Sequence, residues 1–178
     1  LFRSKEHYIV SAYCDPPPDF EEGSTYHKDG ELWQFLTNKR YDMMKECLLR
    51  GDPIQYKSNG KSLEPLVYSG DVCFIWPIVS GLTKIQPGDI VFCQAQPRNN
   101  YYVHLVWAVN TYRTDNGTEK ACYTIGNNKP GDGKRYNGYC YREHIYGIVR
   151  MTSKGFYSHL RAQNDPSSNV QLNFGPEI

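Results

Sequence analysis

The chain lacks several features that would decide its class at once. None of its 6 cysteines forms a C-x-x-C pair, and no Cys/His cluster has zinc spacing, so neither a zinc module nor a thioredoxin-like redox site is encoded. No apolar run is long enough to span a bilayer; Val103 to Val109, among the longest, is interrupted by His104. No signal peptide is present, and the chain begins at Leu1 rather than Met, as a processed product or a fragment would. Charge of one sign is also lacking. The net charge is +1 over 178 residues, which gives no general attraction for nucleic acid or an acidic membrane. Gly131-Asp132-Gly133 is not followed by G-K-[ST], so no phosphate loop is present. No internal repeat occurs.

Phenylalanine is scarce against tyrosine, 7 to 15. Tyr and Trp suit strands and half-buried surfaces, which favours a β-rich fold. Mean hydropathy is −0.64, low for a compact enzyme, so part of the chain is expected to be arm, loop or partner-covered surface. Cys73 and Cys93 stand inside apolar runs, where a thiol acts as a small hydrophobe. The cysteine spacing favours reduced thiols over a disulfide framework. Asn116-Gly117-Thr118 is a glycosylation triplet, too common by chance to place the chain in a compartment.

Four stretches follow from the pattern. Residues 1–29, with Pro16-Pro17-Pro18 and an acidic run, read as an irregular arm. Residues 30–53 read as an amphipathic helix with its turns. Leu32, Phe35, Leu36, Met43, Met44, Cys47 and Leu48 recur at helical spacing, Asp29 precedes as N-cap, and Gly51 and Pro53 end it. That apolar stripe is expected to pack, not to hold a cofactor. From residue 54 to 151 the period becomes two. Strands are predicted at Ile54–Lys57, Val72–Trp76, Ile90–Gln94, Tyr101–Asn110, Ala121–Ile125 and Ile145–Met151, separated by Gly-, Pro- and Asp-rich turns. Residues 152–178 read as a polar tail, disordered alone or ordered by docking.

Four segments then occur in a telling order: Gly60-Lys61-Ser62-Leu63-Glu64-Pro65 with Gly70-Asp71; Pro87-Gly88-Asp89-Ile90-Val91; Val103-His104-Leu105-Val106; and Gly126-Asn127-Asn128 with Asp132 and Ile145-Tyr146-Gly147-Ile148-Val149. The first resembles the G-x-S-M-E-P box of type I signal peptidases. The second is similar to their G-D-I-V strand. The third resembles the strand that carries the general base, which is Lys in bacterial enzymes and LexA-type repressors and His in the endoplasmic-reticulum type. The fourth resembles the G-D-N box and the closing I-x-G-x-V strand. The likeness covers about residues 56 to 150.

What this resemblance implies is a mainly β, signal-peptidase/LexA-like antiparallel domain with one N-terminal amphipathic helix and irregular terminal arms. It implies a serine endopeptidase acting on an extended peptide or protein substrate, with Ser62 as nucleophile and His104 as base. A serine hydroxyl is a poor nucleophile at neutral pH and needs a base within hydrogen-bond reach. The Ser62 N–H would serve as an oxyanion donor. Gly60, Lys61, Leu63 and Pro65 would line the substrate. No metal or organic cofactor is implied.

The chain departs from the pattern in three places. Asn127 stands where the family has Asp; an amide can orient imidazole but cannot stabilise imidazolium by charge. Asp132 is the residue expected to act as orienter instead. Gly60 replaces a serine that supplies an oxyanion donor in many relatives, and no membrane anchor precedes the Ser box. These departures keep open a second reading, a catalytically degenerate fold serving as a binding or accessory subunit of a larger assembly. A third reading is a nucleic-acid module built on Lys129, Lys134, Arg135 and Arg142 with Tyr136, Tyr139 and Tyr141. The near-neutral charge speaks against it, and there is no helix-turn-helix.

Overall fold

The computed structural model describes residues 39–170. The arm assigned to 1–29, the start of the predicted helix and the last eight residues of the tail lie outside the described residues. Helix α1 covers residues 39–49. Its Met44, Cys47 and Leu48 are buried, and Tyr41 packs its ring on Phe92 and Tyr101. The helix stops as the sequence predicts. Gly51 lies at φ +89, its N–H donates to Leu48 O, and the Asp52 N–H donates to Cys47 O. This paired closure of the last carbonyls needs a left-handed residue at Gly51.

The β domain is one mainly antiparallel sheet, β1 (Ile54–Lys57), β2 (Val72–Pro77), β3 (Ile90–Ala95), β4 (Asn100–Arg113), β5 (Glu119–Gly126), β6 (Tyr136–Tyr141), β7 (Ile145–Thr152) and β8 (Gly155–Phe156). Its order is β1-β2-β7-β3-β4-β5-β6, with β8 beside β7. The central strand β3 is apolar on both faces and sorts its side chains between two cores. Ile90 and Phe92 join Met44, Leu48, Leu63, Val67, Ile75, Leu105 and Trp107 under α1. Val91, Cys93 and Ala95 join Val106, Tyr123, Ile125, Cys140 and Ile148 on the other face. This division follows from the strand period of two.

The second core is enclosed because the sheet curls back on itself. Past the end of β3, Gln96 exchanges both backbone hydrogen bonds with Tyr139 of β6, at 2.8 and 3.1 Å. Gly138 makes that seam possible: it lies at φ +133, and a Cβ there would sit 2.1 Å from Gln96 O. A side chain would force the two strands apart.

The predicted strands are present, each extended by one to three residues at an end or unchanged. One element differs from expectation. Tyr136–Tyr141, read as a basic aromatic loop, is strand β6. The tail, expected to be disordered alone or ordered by docking, forms β8 and a short helix α2 (His159–Gln163) within its described residues 152–170. Its order comes from docking: Tyr157 donates through its hydroxyl to Gly88 O at 2.7 Å, Gln163 donates to Pro87 O at 2.6 Å, and Ala162 is fully buried. Among the described residues the five cysteines are free, and no helix is long and apolar enough to cross a membrane.

Candidate active site

Ser62 lies in the loop between β1 and β2. Ser58 and Asp71 close the base of that loop, Ser58 N–H donating to Asp71 O and Gly70 N–H to Ser58 O, both at 2.8 Å. The Asp71 carboxylate caps the Tyr68 N–H at 2.9 Å and meets Lys154 at 3.2 Å. Within the loop, residues 63–67 make a single helical turn, with Leu66 N–H and Val67 N–H both donating to Leu63 O. Leu63, Leu66 and Val67 are buried in the first core. They hold the turn down and leave half-buried Ser62 at its leading end.

A second strap fixes the serine from the far side. The Asn128 N–H donates to Ser62 O at 2.7 Å, and the Asn128 side-chain amide donates to Glu64 O at 3.1 Å. Asn128 is fully buried. The Ser62 carbonyl is therefore tied to the chain just past β5, which sets the direction of the hydroxyl.

His104 stands at mid-β4, opposite Val91 of β3. Its Nε2 lies 3.1 Å from Ser62 Oγ. Its Nδ1 lies 2.6 Å from Asn137 Oδ1. The Tyr102 ring stacks on the imidazole with centroids 5.1 Å apart. The Asn137 oxygen accepts only, so the proton sits on Nδ1 and the Nε2 lone pair faces the serine hydroxyl. Burial holds the His104 pKa below the ordinary histidine value, and the Asn137 hydrogen bond works in the opposite direction. The ring is accordingly neutral, and able to accept a proton, at neutral pH.

Asn137 reaches the ring because of a β-bulge. In the β5–β6 pairing Ile125 faces Gly138 and Gly126 faces Tyr136, so Asn137 is the extra residue between them. A bulge re-aims the side chain it inserts, here across to β4.

Sequence reasoning missed Asn137, and the two residues expected in its role stand elsewhere. Asn127 is buried, but its amide clamps its own loop: it donates to Gly133 O at 2.7 Å and accepts from the Arg135 N–H at 2.9 Å. Its carbonyl accepts from the Trp107 indole N–H at 2.7 Å. Asp132 is exposed, on a 3-10 turn over Gly131–Gly133; the Nδ1 it was expected to hold is taken by Asn137. Leu63, expected to line the substrate, is 2% exposed and packs in the core, because the turn after Ser62 points it inward. Gly60, Lys61 and Pro65 are exposed beside Ser62. The one available signal for Asn137 was an Asn directly before Gly, ahead of the alternating Tyr139-x-Tyr141 pair.

No group of three or more His, Cys, Asp or Glu able to hold a metal ion occurs among the described residues. Compared with known proteins, the chain matches no protein-family model, no curated protein and no solved structure.

Proposed function

We propose that the chain is a serine endopeptidase-like hydrolase in which Ser62, His104 and Asn137 act in line. The observation that carries this reading is the continuous relay Ser62 Oγ, His104 Nε2, His104 Nδ1, Asn137 Oδ1, with gaps of 3.1 and 2.6 Å. Both gaps suit proton transfer and orientation of the base. In the first step Ser62 Oγ attacks the carbonyl carbon while His104 Nε2 takes the hydroxyl proton. The tetrahedral oxyanion falls to the Ser62 N–H. His104 then returns the proton to the leaving amine, leaving an acyl-serine. Water, deprotonated by the same Nε2, hydrolyses that ester and restores Ser62. Asn137 keeps the reactive tautomer throughout. The resemblance of the Ser, His and G-N-N segments to signal peptidases and self-cleaving repressors supports an extended peptide as substrate, bound as an added strand.

One observation favours the accessory-subunit reading instead. The partner of Nδ1 is an amide, which gives the imidazolium no counter-charge. A fluorophosphonate probe separates the two. Labelling of the full chain that is lost in Ser62→Ala and falls about 100-fold or more in His104→Ala supports the hydrolase. Absence of labelling in protein with a native melting transition overturns it and leaves a fold kept for binding.

A further inference from the structure

The segment from Asn128 to Asn137 begins and ends at the reacting pair. Asn128 N–H holds Ser62 O at 2.7 Å, and Asn137 Oδ1 holds His104 Nδ1 at 2.6 Å. The segment between these anchors is a rim tied at one end to Ser62 and at the other to His104. That rim carries three cations, Lys129, Lys134 and Arg135, against a single carboxylate, Asp132. Lys61 adds a fourth cation directly beside the nucleophile. Lys61, Lys134 and Arg135 are exposed, and Lys129 is half-buried. The ion pairs formed among the described residues are Arg50–Asp52, Arg113–Glu119 and Lys154–Asp71, and His159 Nδ1 stands 3.8 Å from Asp89; none of these contacts involves the four cations.

The rim is also held in place before any ligand arrives. Asn127 clamps Gly133 O and the Arg135 N–H. Asn169, from the docked C-terminal segment, donates to Asn127 O at 3.1 Å and Lys129 O at 2.9 Å. Lys134 Nζ stands 4.8 Å over the Trp107 ring, and the indole N–H of that ring is tied to Asn127 O. These bonds hold the backbone that carries the cations, so little ordering of the loop is left to be done when an anion binds, which favours affinity. In a chain with a net charge of only +1, the Ser62 loop and this segment together carry four cations against two carboxylates, Glu64 and Asp132.

Taking Ser62 and His104 as the reacting pair, we propose that the site selects acidic substrates: an extended peptide with Asp or Glu close to the bond presented to Ser62. Lys61 on one side and the Lys129, Lys134 and Arg135 rim on the other attract its carboxylates. The same charges repel a basic peptide.

The test is binding, so that it stands apart from catalysis. Fluorescent peptides of one length, rich in Glu or in Lys, are titrated into the full-length Ser62→Ala protein at low and at physiological salt. A single-stranded oligonucleotide of the same charge as the acidic peptide serves as a third ligand. The acidic peptide is expected to bind about 10-fold or more tightly than the basic one, with a gap that narrows as salt rises. Lys61→Glu combined with Arg135→Glu should erase or reverse the preference; both side chains are exposed, and the Arg135 loop bonds are made by its backbone. Equal affinity for the two peptides, or a preference that survives the double substitution, overturns the proposal. Tighter binding of the oligonucleotide than of the acidic peptide overturns it in favour of a nucleic-acid ligand. Fluorophosphonate labelling of Ser62 in the wild-type chain is read separately. Acidic preference without labelling would sink the hydrolase reading and keep the charge-selective site.

Discussion

Replacing Asn137 by Asp puts the catalytic reading at risk in one substitution. The two side chains have the same shape, so the carboxylate oxygen takes the place of Oδ1, 2.6 Å from His104 Nδ1. In the wild-type chain the amide orients the ring but leaves the imidazolium formed during attack without a counter-charge. A carboxylate about 4 Å from the imidazolium centre attracts it by about 4 kcal/mol at an effective dielectric near 20. Desolvating the new carboxylate in this half-buried site takes back roughly half of that. About 2 kcal/mol remains, or roughly 30-fold in the rate of Ser62 acylation. The pH profile must move with it. Burial lowers the His104 pKa in the wild-type chain, so labelling should hold constant as pH falls through the ordinary histidine range near 6.5. Asn137→Asp favours the protonated ring, so its labelling should begin to fall at a higher pH. The assay is the second-order rate of fluorophosphonate labelling across pH, on variants matched by melting temperature. If Asn137→Asp labels no faster than wild type, or if the wild-type rate titrates at or above the ordinary histidine pKa, the relay does not operate as argued.

Other outcomes follow from the same geometry. Leu63→Ala should lower folding stability by about 2–4 kcal/mol in urea denaturation; a change in peptide affinity with stability intact would return Leu63 to the substrate surface. Gly138→Ala must push Gln96 O away from a Cβ 2.1 Å distant and should destabilise by about 3 kcal/mol or more. It should also slow Ser62 labelling, since Asn137 is the neighbouring residue. Asp89 is 1% exposed, and burial raises its carboxyl pKa, opposed by the Gln86 N–H, His159 and Arg150. With a folded pKa above the unfolded one, the contribution of Asp89 to stability is full below about pH 4 and is lost as pH rises through the folded value. Asp89→Asn should therefore gain urea midpoint relative to wild type at pH 8 compared with pH 4; a constant difference between the two would refute this. Cys73, its thiol pushed up to about 12 by burial and by Asp71, should resist iodoacetamide at pH 8 until the protein is unfolded, as followed by mass spectrometry.

What could be seen in the sequence was what the local period and the turn residues control. The α1 end was legible because Gly51 and Pro53 dictate it within a few residues. Strands β1 to β5 and β7 were legible because their side chains alternate between cores or run apolar through the centre. β6 was not: Lys134 and Arg135 before it, and Gly138 within it, mask a Tyr139-x-Tyr141 alternation that the distant Gln96 seam stabilises. The tail carries no strong apolar period either. It is ordered by side chains that find backbone carbonyls on distant turns, Tyr157 on Gly88 and Asn169 on Asn127 and Lys129, and such pairings leave no trace in local composition. The same distinction separates the parts of the site. The meeting of Ser62 and His104 was expected from the segments that hold them, and their side chains lie 3.1 Å apart. Asn137 could not be read, because its role depends on one register shift between Ile125 and Gly126. With the ladder continued without that extra residue, the side chain at this position would follow the strand alternation and turn off His104. The Nδ1 partner of His104 is thus set by a backbone irregularity, while Ser62 and His104, 3.1 Å apart, each lie in a segment of distinctive sequence. An orienter held in this way tolerates exchange of side chain more readily than change of register: Asn137→Asp tests its charge, whereas deleting one residue between 133 and 136 should abolish labelling while leaving Ser62 and His104 in sequence.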